Sequence, residues 1–361
     1  FFGEHASVLK IMADGFVKLL QMTVLPYITL SIIISLGGFS YDGLKTLGVR
    51  VGTILVVLWC AALIFAFLMP LAFPVFETAS FFSTTLVERR APFNFVDLFI
   101  PANPFHSLAN NIVPAVVLFS VFVGLGLIGV HPKQPLLDVF GIAREALARA
   151  TKFILGLTPY GIFAIAANTA GTLNLEQVAR IQIYLITYVA FALLLALWVL
   201  PGLVSALTPF TYRDVLGPTR DALITAFIAA DLFIVLPILI QACKSLLERH
   251  GLVNETTKSL PDVIVPTSFN FPHSGKLLSI SFILFAGWFA DAAVPVSLYL
   301  QLALMGVLTL FGSTTAAVPF LLDIFRIPAD TFQLFLATSV INVRFGSLLA
   351  ALHTVAVALL G

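Results

Sequence analysis

The chain has 361 residues, of which 60% are hydrophobic and only 10% are charged, and its formal net charge is +1. Because about a quarter of the residues in a soluble domain are charged, this composition excludes a soluble globular protein. The small net charge and the lack of a basic stripe give no indication of nucleic-acid binding. The two cysteines, Cys60 and Cys243, lie in apolar segments and form neither a disulfide framework nor a metal motif.

Five uncharged segments reach the roughly 18 to 20 residues that a helix needs to cross a bilayer. They are residues 19–41, 51–76, 112–130, 153–175 and 181–212. A membrane barrel would instead show segments of about ten residues with alternating polarity. The sequence therefore predicts an all-α polytopic membrane protein. The positive-inside rule places the basic connections near 45–50, 133–152, 213–220 and 244–258 in the cytoplasm.

From about residue 213 onward, the apolar segments no longer behave as simple spans. Segment 222–243 is long enough to cross, but Asp231 lies at its centre and basic residues flank both ends. A central charge that faces lipid is costly, and two basic flanks favour the same side of the membrane. This pattern predicts a re-entrant helical hairpin that turns near Asp231.

Two further apolar segments are interrupted. Residues 266–276 (PTSFNFPHSGK) place two prolines, a glycine and several polar groups inside an apolar region. A break of this kind is typical of a transporter binding site, where protein or water satisfies the freed backbone groups. Segment 292–322 has a small, polar centre at 312–319, which predicts a second hairpin. A last helix follows, and it carries Arg344 within apolar sequence.

Several motifs in chain order resemble those of the dicarboxylate/amino acid:cation symporter family, which has a glutamate-transporter-like fold. They are 3–5 (GEH), 16–22 (FVKLLQM), 103–110 (NPFHSLAN), 158–164 (TPYGIFA) and 221–227 (DALITAF). The resemblance identifies a divergent member and implies an elevator fold with two re-entrant helical hairpins and a broken seventh helix. It assigns 1–135 to scaffold-type spans, 136–210 to spans five and six, and 211–361 to a transport core. The first span of the family would then lie before Phe1.

The chain departs from the family at its cation and amino-group positions. The sodium-binding stretch of the family falls on 272–276 (PHSGK), where only Gly275 is retained. The candidates for cation coupling, or for a surrogate of the cation, are therefore Lys276, His273, Ser274 and Asn270. In the last span, Arg344 stands where the family has an aspartate that binds the substrate amino group, and Ser347 stands where it has an arginine. The metal ligands are thus unknown, the coupling ion is sodium or a proton, and no cofactor is expected.

Each of these polar residues has more than one interpretation. A mid-helix Arg344, with Ser347 on roughly the same face, would present a planar guanidinium group to a carboxylate, whereas the alternative is a snorkelling side chain. Lys276 and His273 either act as a cation in the site or cap the restart of the broken helix. Asp231 either pairs with Arg344 or Lys276 or binds a substrate ammonium group.

The hydroxyl and amide side chains divide between the site and the scaffold. Ser313, Thr314 and Thr315 either hold a carboxylate at the N-terminus of a half-helix or form a tight turn, and both are compatible. Asn103, Asn110 and Asn111 are interpreted as structural, because they satisfy backbone groups where the fourth span begins.

These features predict a symporter-like secondary active transporter in the plasma membrane, the inner membrane of a bacterium. It would move small organic anions, dicarboxylates or acidic amino acids, by an elevator mechanism, and the family resemblance implies a homotrimer. An alternative is a transporter-like sensor, or a membrane module that works with a solute-binding domain. An enzyme is not expected, because the sequence shows no nucleophile–base pair, metal cluster or phosphate loop.

Overall fold

A computed structural model of the protein describes residues 6–38, 49–74, 96, 99–100, 102–110, 112–157, 159–161, 163–164, 167, 175–254, 257, 260–269 and 271–361. Within these ranges the regular secondary structure is helical and contains no strand, as predicted. In chain order the helices are α1 (Ala6–Gly37), α2 (Val49–Leu68), α3 (Pro104–Ala109), α4 (Val113–Leu127), α5 (Gln134–Gly156), α6 (Leu175–Leu194), α7 (Leu200–Leu207), α8 (Tyr212–Ala229), α9 (Leu236–Arg249), α10 (Leu260–Ser268), α11 (Ser274–Leu278), α12 (Ser281–Phe289), α13 (Tyr299–Thr309), α14 (Thr314–Ile324) and α15 (Thr331–Leu360).

Three helical stretches within the described ranges are long and apolar enough to cross a bilayer: Val49–Ala72, Val178–Leu207 and Thr331–Leu360. They differ in how much protein surrounds them. In the last stretch 67% of the most apolar window is buried, compared with 28% and 33% in the other two. Helix α15 is therefore enclosed by other helices, whereas the first two stretches leave apolar faces at the surface of the chain.

The helices form two packing groups. Helices α1, α4 and α5 pack together, and the core that α1 shares with α4 includes Leu25, Ile28, Val116 and Val117. Helices α2 and α6 to α15 belong to a second, larger group that packs around α15. The two groups meet where α13 and α14 contact α4 and where α14 contacts α1. Although α2 comes early in the chain, it packs against α11 and α15 in the second group.

Helices α8 and α9 form the first hairpin. The Thr211 and Asp214 side chains form a reciprocal capping box at the start of α8. The helix ends at Ala229, and Ala230 turns the chain with a left-handed φ of 55°. A short 3₁₀ turn, Phe233–Val235, then leads into α9. The sequence thus predicted the position of this turn correctly.

Helices α13 and α14 form the second hairpin, and its turn is shorter than predicted. The turn occupies residues 310–313, and α14 begins at Thr314. The sequence-based assignment of 314–319 to the turn is wrong, since these residues are helical and Pro319 lies inside α14. Pro319 has no backbone N–H to donate to the Thr315 carbonyl, so α14 continues past it with one hydrogen bond fewer.

Helices α10, α11 and α12 make up the broken helix. The predicted interruption is present but shorter than predicted, because α10 continues through Pro266 to Ser268 and α11 already begins at Ser274. His273 caps this restart: its Nδ1 accepts a hydrogen bond of 3.2 Å from the Lys276 backbone N–H. Inside the break, the Trp59 indole N–H donates to the Pro272 carbonyl at 2.5 Å. Protein groups thus form hydrogen bonds with backbone atoms that the break leaves without helical partners. Asn270 lies outside the described residues.

The asparagines before α4 take the structural role that the sequence suggested. The Asn103 side chain caps α3 by accepting from the backbone N–H groups of Phe105 and His106, at 3.0 and 3.2 Å. The Asn110 amide donates to the His106 carbonyl at 2.9 Å. Asn111 lies outside the described residues.

Candidate functional site

A cavity of about 220 Å³ lies where the turns of both hairpins, the broken helix and α15 meet. Predicted site residues from all four elements line it: Asp231, His273, Lys276, Ser313, Thr314 and Ser347. Arg344, Thr315 and Ser274 are not among its lining residues. The four elements are far apart in sequence, so the fold brings together most of the residues singled out by their chemistry. We refer to this space as the central cavity.

Larger cavities lie elsewhere but lack this convergence of polar groups. One of about 710 Å³ runs along α1 and α3, and its lining is apolar apart from Lys18 and Thr29. Another, of about 300 Å³, contains the buried Arg180, whose guanidinium group lies 3.6 Å from the Asp291 carboxylate and 5.2 Å from the Trp288 ring centroid. Size alone does not mark a binding site; a few convergent polar groups do.

One wall of the central cavity carries the positive charge. Lys276 lies in α11, at the restart of the broken helix, and is partly buried. His273 also faces the cavity while it caps this helix, so capping and lining are compatible for His273. A lysine on the wall of a partly enclosed cavity attracts an anion more strongly than the same lysine in bulk water.

Another part of the lining carries hydroxyl groups at a helix N-terminus. Ser313 immediately precedes α14 and Thr314 is its first residue. The Ser313 and Thr315 hydroxyl groups lie 2.8 Å apart, so Thr315 supports Ser313 from outside the cavity. The first backbone N–H groups of a helix have no partner within the helix and carry partial positive charge. Together with Lys276, this wall gives the cavity the chemistry of an anion site.

Helix α15 contributes small and neutral groups. Gly346 and Ser347 line the cavity, and so does Asn342, which sequence analysis missed. The Asn342 amide donates to the hydroxyl oxygens of Tyr184 and Thr338 at 3.1 and 3.2 Å. The signal in the sequence is an amide side chain within an apolar helix, two residues before the more conspicuous Arg344.

Asp231 and Arg344 lie at the edge of this arrangement. The Asp231 side chain is exposed, and its Oδ1 accepts from the Phe233 backbone N–H at 2.8 Å. The predicted ion pair of Asp231 with Arg344 or Lys276, all of which are described, does not form in this structure. Arg344 Nη1 instead lies 3.5 Å from the Ile228 carbonyl oxygen, in the last turn of α8. Arginine near a helix C-terminus interacts favourably with its last carbonyl groups.

Ser274 lies behind the cavity rather than in it. Its hydroxyl group is 2.9 Å from Nδ1 of His353 on α15, and both side chains are fully buried. Next to this pair, the backbones of α11 and α15 come into direct contact at Gly275 and Gly346. His353 is a second polar residue of the last helix that sequence analysis did not assign to the site.

Comparison with known proteins gives extended matches. The model of the sodium:dicarboxylate symporter family matches residues 1–360. A proton/sodium-glutamate symport protein of Bacillus caldotenax is 25% identical over 339 residues, which are 88% of this chain and 77% of the relative. An L-cystine uptake protein of Shouchella clausii is 30% identical over 287 residues, 70% of this chain and 60% of the relative. A C4-dicarboxylate transport protein of Azorhizobium caulinodans is 25% identical over 293 residues, 76% and 63% of the two chains.

These matches confirm the predicted class. The family and these relatives are membrane transporters rather than enzymes. The three long apolar helices described above agree with a multi-pass membrane protein. Because the family match extends over nearly the whole sequence, the chain belongs to the sodium:dicarboxylate symporter family.

Proposed function

We propose that this chain is a secondary active transporter of small organic anions, and that the central cavity is its substrate site. The observation that carries the proposal is the convergence of Lys276 with the Ser313 and Thr314 hydroxyl groups at the N-terminus of α14. A fixed cation, hydroxyl donors and a helix N-terminus are the groups that recognise a carboxylate. A neutral substrate would leave the Lys276 charge unpaired, because Asp231, which also lines the cavity, forms no ion pair with it in this structure.

The proposed substrates are dicarboxylates or acidic amino acids. A cavity of about 220 Å³ is smaller than the roughly 300 to 1,000 Å³ of sites for drug-sized ligands, so it suits a small molecule. The names of the relatives include glutamate, cystine and C4-dicarboxylates, which all carry carboxylate groups. At the rim, Asp231 is the candidate partner of a substrate ammonium group. Ser347, which lines the cavity from α15, is a candidate hydroxyl donor.

We further propose an elevator mechanism, with both hairpins re-entrant and the protomers assembled as a homotrimer. In this proposal, the group of helices around α15 moves along a scaffold that contains α1, α4 and α5. The separation of the chain into two packing groups supports such a movement. This proposal differs in one respect from the division predicted at residues 135 and 210. Helices α2, α6 and α7, which that division left outside the transport core, pack with the moving group. Coupling to an ion, a proton or sodium, follows the names of the relatives.

Uptake into proteoliposomes tests the function, with succinate and L-aspartate as labelled probes and binding measured in parallel by calorimetry. We expect Lys276→Met to weaken binding roughly tenfold to hundredfold, because a hydrogen bond to a charged group contributes about 1.5 to 3 kcal/mol. The control is Lys18→Met, which removes a lysine from the larger cavity along α1. Failure of the wild type to bind either anion would refute the proposal. A loss of anion binding in Lys18→Met but not in Lys276→Met would assign the substrate to the cavity along α1 and α3.

The same assay examines Arg344, the residue that the sequence placed in the site. We expect Arg344→Ala to weaken anion binding less than Lys276→Met, because the guanidinium group contacts Ile228 beside the hairpin turn rather than the cavity. Complete loss of binding, with an unchanged melting temperature, would show that Arg344 contacts the anion directly. An unchanged affinity for the anion would show that Arg344 is not part of the binding site.

A further inference from the structure

The polar groups behind the central cavity do not suit a sodium ion, although the family name implies one. Hard cations prefer several oxygen ligands, and carboxylates are prominent among them. Among the described residues, the buried polar and charged side chains include no aspartate or glutamate. The described part of the chain also holds no cluster of three or more histidine, cysteine or acidic residues that could bind a metal ion.

The charge that is present has the wrong sign for a cation site. Lys276 lies on the wall of the cavity, and the other titratable groups near it on the same two helices, His273 and His353, are imidazoles rather than carboxylates. Among the described residues, the one carboxylate that lines the cavity is Asp231, which is exposed and bonded to the Phe233 backbone N–H. A second cation beside Lys276 would meet repulsion in a partly desolvated space, and the described part of the chain places no buried carboxylate there to offset it.

The broken helix and α15 are held together by direct contacts. The Ser274 hydroxyl group bonds to His353 Nδ1 at 2.9 Å, and the Ser268 and Thr354 hydroxyl groups lie 3.4 Å apart. Beyond the Ser274–His353 pair, the two backbones touch where Gly275 meets Gly346. A shared ion is therefore not needed to join the two helices at this depth.

We propose that this chain holds no sodium ion between the broken helix and α15, and that it binds its anion without one. Lys276 supplies the positive charge that balances the substrate carboxylate. The hydrogen bond between Ser274 and His353 joins the two helices. The part about the substrate rests on the function proposed above, whereas the part about sodium does not.

The first experiment needs no substrate. The purified full-length chain is heated in detergent over a titration of sodium chloride, with choline chloride at equal ionic strength as the reference. A ligand that binds only the folded state raises the apparent stability by mass action. We expect the two salts to give the same melting temperature at every concentration. A rise that is specific to sodium and saturates would overturn the proposal.

The second experiment measures the affinity for succinate and L-aspartate in the same two salts. We expect dissociation constants that agree within about twofold, which corresponds to about 0.4 kcal/mol. An affinity that is about tenfold higher in sodium would overturn the inference and leave the transporter function intact. Lack of binding in both salts would refute the proposed function, while the melting experiment would still decide the question of sodium.

A variant pair tests the hydrogen bond that joins the helices. We expect Ser274→Ala to lower the melting temperature equally in both salts, because His353 loses its partner in a fully buried position. Ser339→Ala is the control, since that hydroxyl group bonds only to the Leu336 carbonyl within α15. A melting temperature of Ser274→Ala that is lowered in choline chloride but restored in sodium chloride would contradict the proposal. So would a Ser274→Ala variant as stable as the wild type.

Discussion

The close approach of α11 and α15 at two glycines gives opposite predictions for the same substitution. A Cβ atom added to Gly275 would lie 2.7 Å from the Gly346 carbonyl carbon and 2.8 Å from its Cα, and closer still to its oxygen. A Cβ atom added to Gly346 would meet nothing nearer than 3.8 Å. Gly275→Ala should therefore force the helices apart, and Gly346→Ala should not.

The magnitude follows from these distances. Non-bonded carbon atoms normally approach to about 3.5 to 4.0 Å, so Gly275→Ala requires the two backbones to separate by about 1 Å. Inserting a methyl group into a packed core costs about 1 to 3 kcal/mol, and here both partners are backbone and cannot rotate away. Gly346 lies inside a long helix, where alanine is favoured over glycine by about 1 kcal/mol. Because Gly275 also lies in a helix, this gain is common to both variants, and they should differ by the packing cost of about 1 to 3 kcal/mol in unfolding free energy.

Thermal unfolding in detergent measures the difference, and anion binding provides a second readout because both glycines line the central cavity. We expect Gly275→Ala to lose stability and affinity together, and Gly346→Ala to keep both. Gly141→Ala, at a position inside α5 with no neighbour within 4 Å, controls for helix propensity alone. Equal stability of Gly275→Ala and Gly346→Ala would refute the packing on which the cavity depends.

Two further predictions concern the supports of the hairpins and the broken helix. Trp59→Phe should lower stability by about 1 to 3 kcal/mol in thermal unfolding, because the Pro272 carbonyl inside the break loses its donor; no loss would mean that another group satisfies it. The Asp214 carboxylate, bonded to the Thr211 hydroxyl and backbone N–H and close to His250, has a pKa below the usual 3.8. The ionised Asp214 carboxylate stabilises the fold above pH 3.8, and this stabilisation is lost as the pH falls through the lower pKa of the folded state. Asp214→Ala should therefore lower the melting temperature at neutral pH, and the difference from wild type should shrink in acid; a constant difference would contradict the linkage.

Local signals account for what the sequence predicted about the fold. The turn at Ala230 and the break before Ser274 each interrupt an apolar segment with charged, small or ring-constrained residues. These interruptions act on the backbone of their own segment, so one sequence is enough to locate them. The length of each interruption could not be predicted in the same way, because Pro266 and Pro319 are typical helix breakers but lie inside helices. A proline excludes one hydrogen bond, and tertiary packing decides whether the helix continues.

The contacts between distant segments could not be predicted from the sequence. Arg344 and Ser347 are three residues apart on α15, and that spacing suggested a shared neighbour. In the structure Ser347 lines the cavity while Arg344 contacts Ile228, because a rotation of about 60° around the helix is enough to reach another element. The bond between Ser274 and His353 joins residues 79 positions apart. No periodicity in either segment marks that pairing.

The central cavity takes its chemistry from helix ends. Lys276 lies in the first turns after the break, Ser313 and Thr314 begin α14, and Ala230 ends the first hairpin helix. The uninterrupted α15 adds mainly small, neutral surface and the glycine that contacts α11. An elevator movement needs a site whose parts keep their mutual distances while the scaffold stays in place. Because the broken helix and both hairpins all contact α15, the proposed elevator movement would carry the proposed anion-binding groups as one unit with that helix.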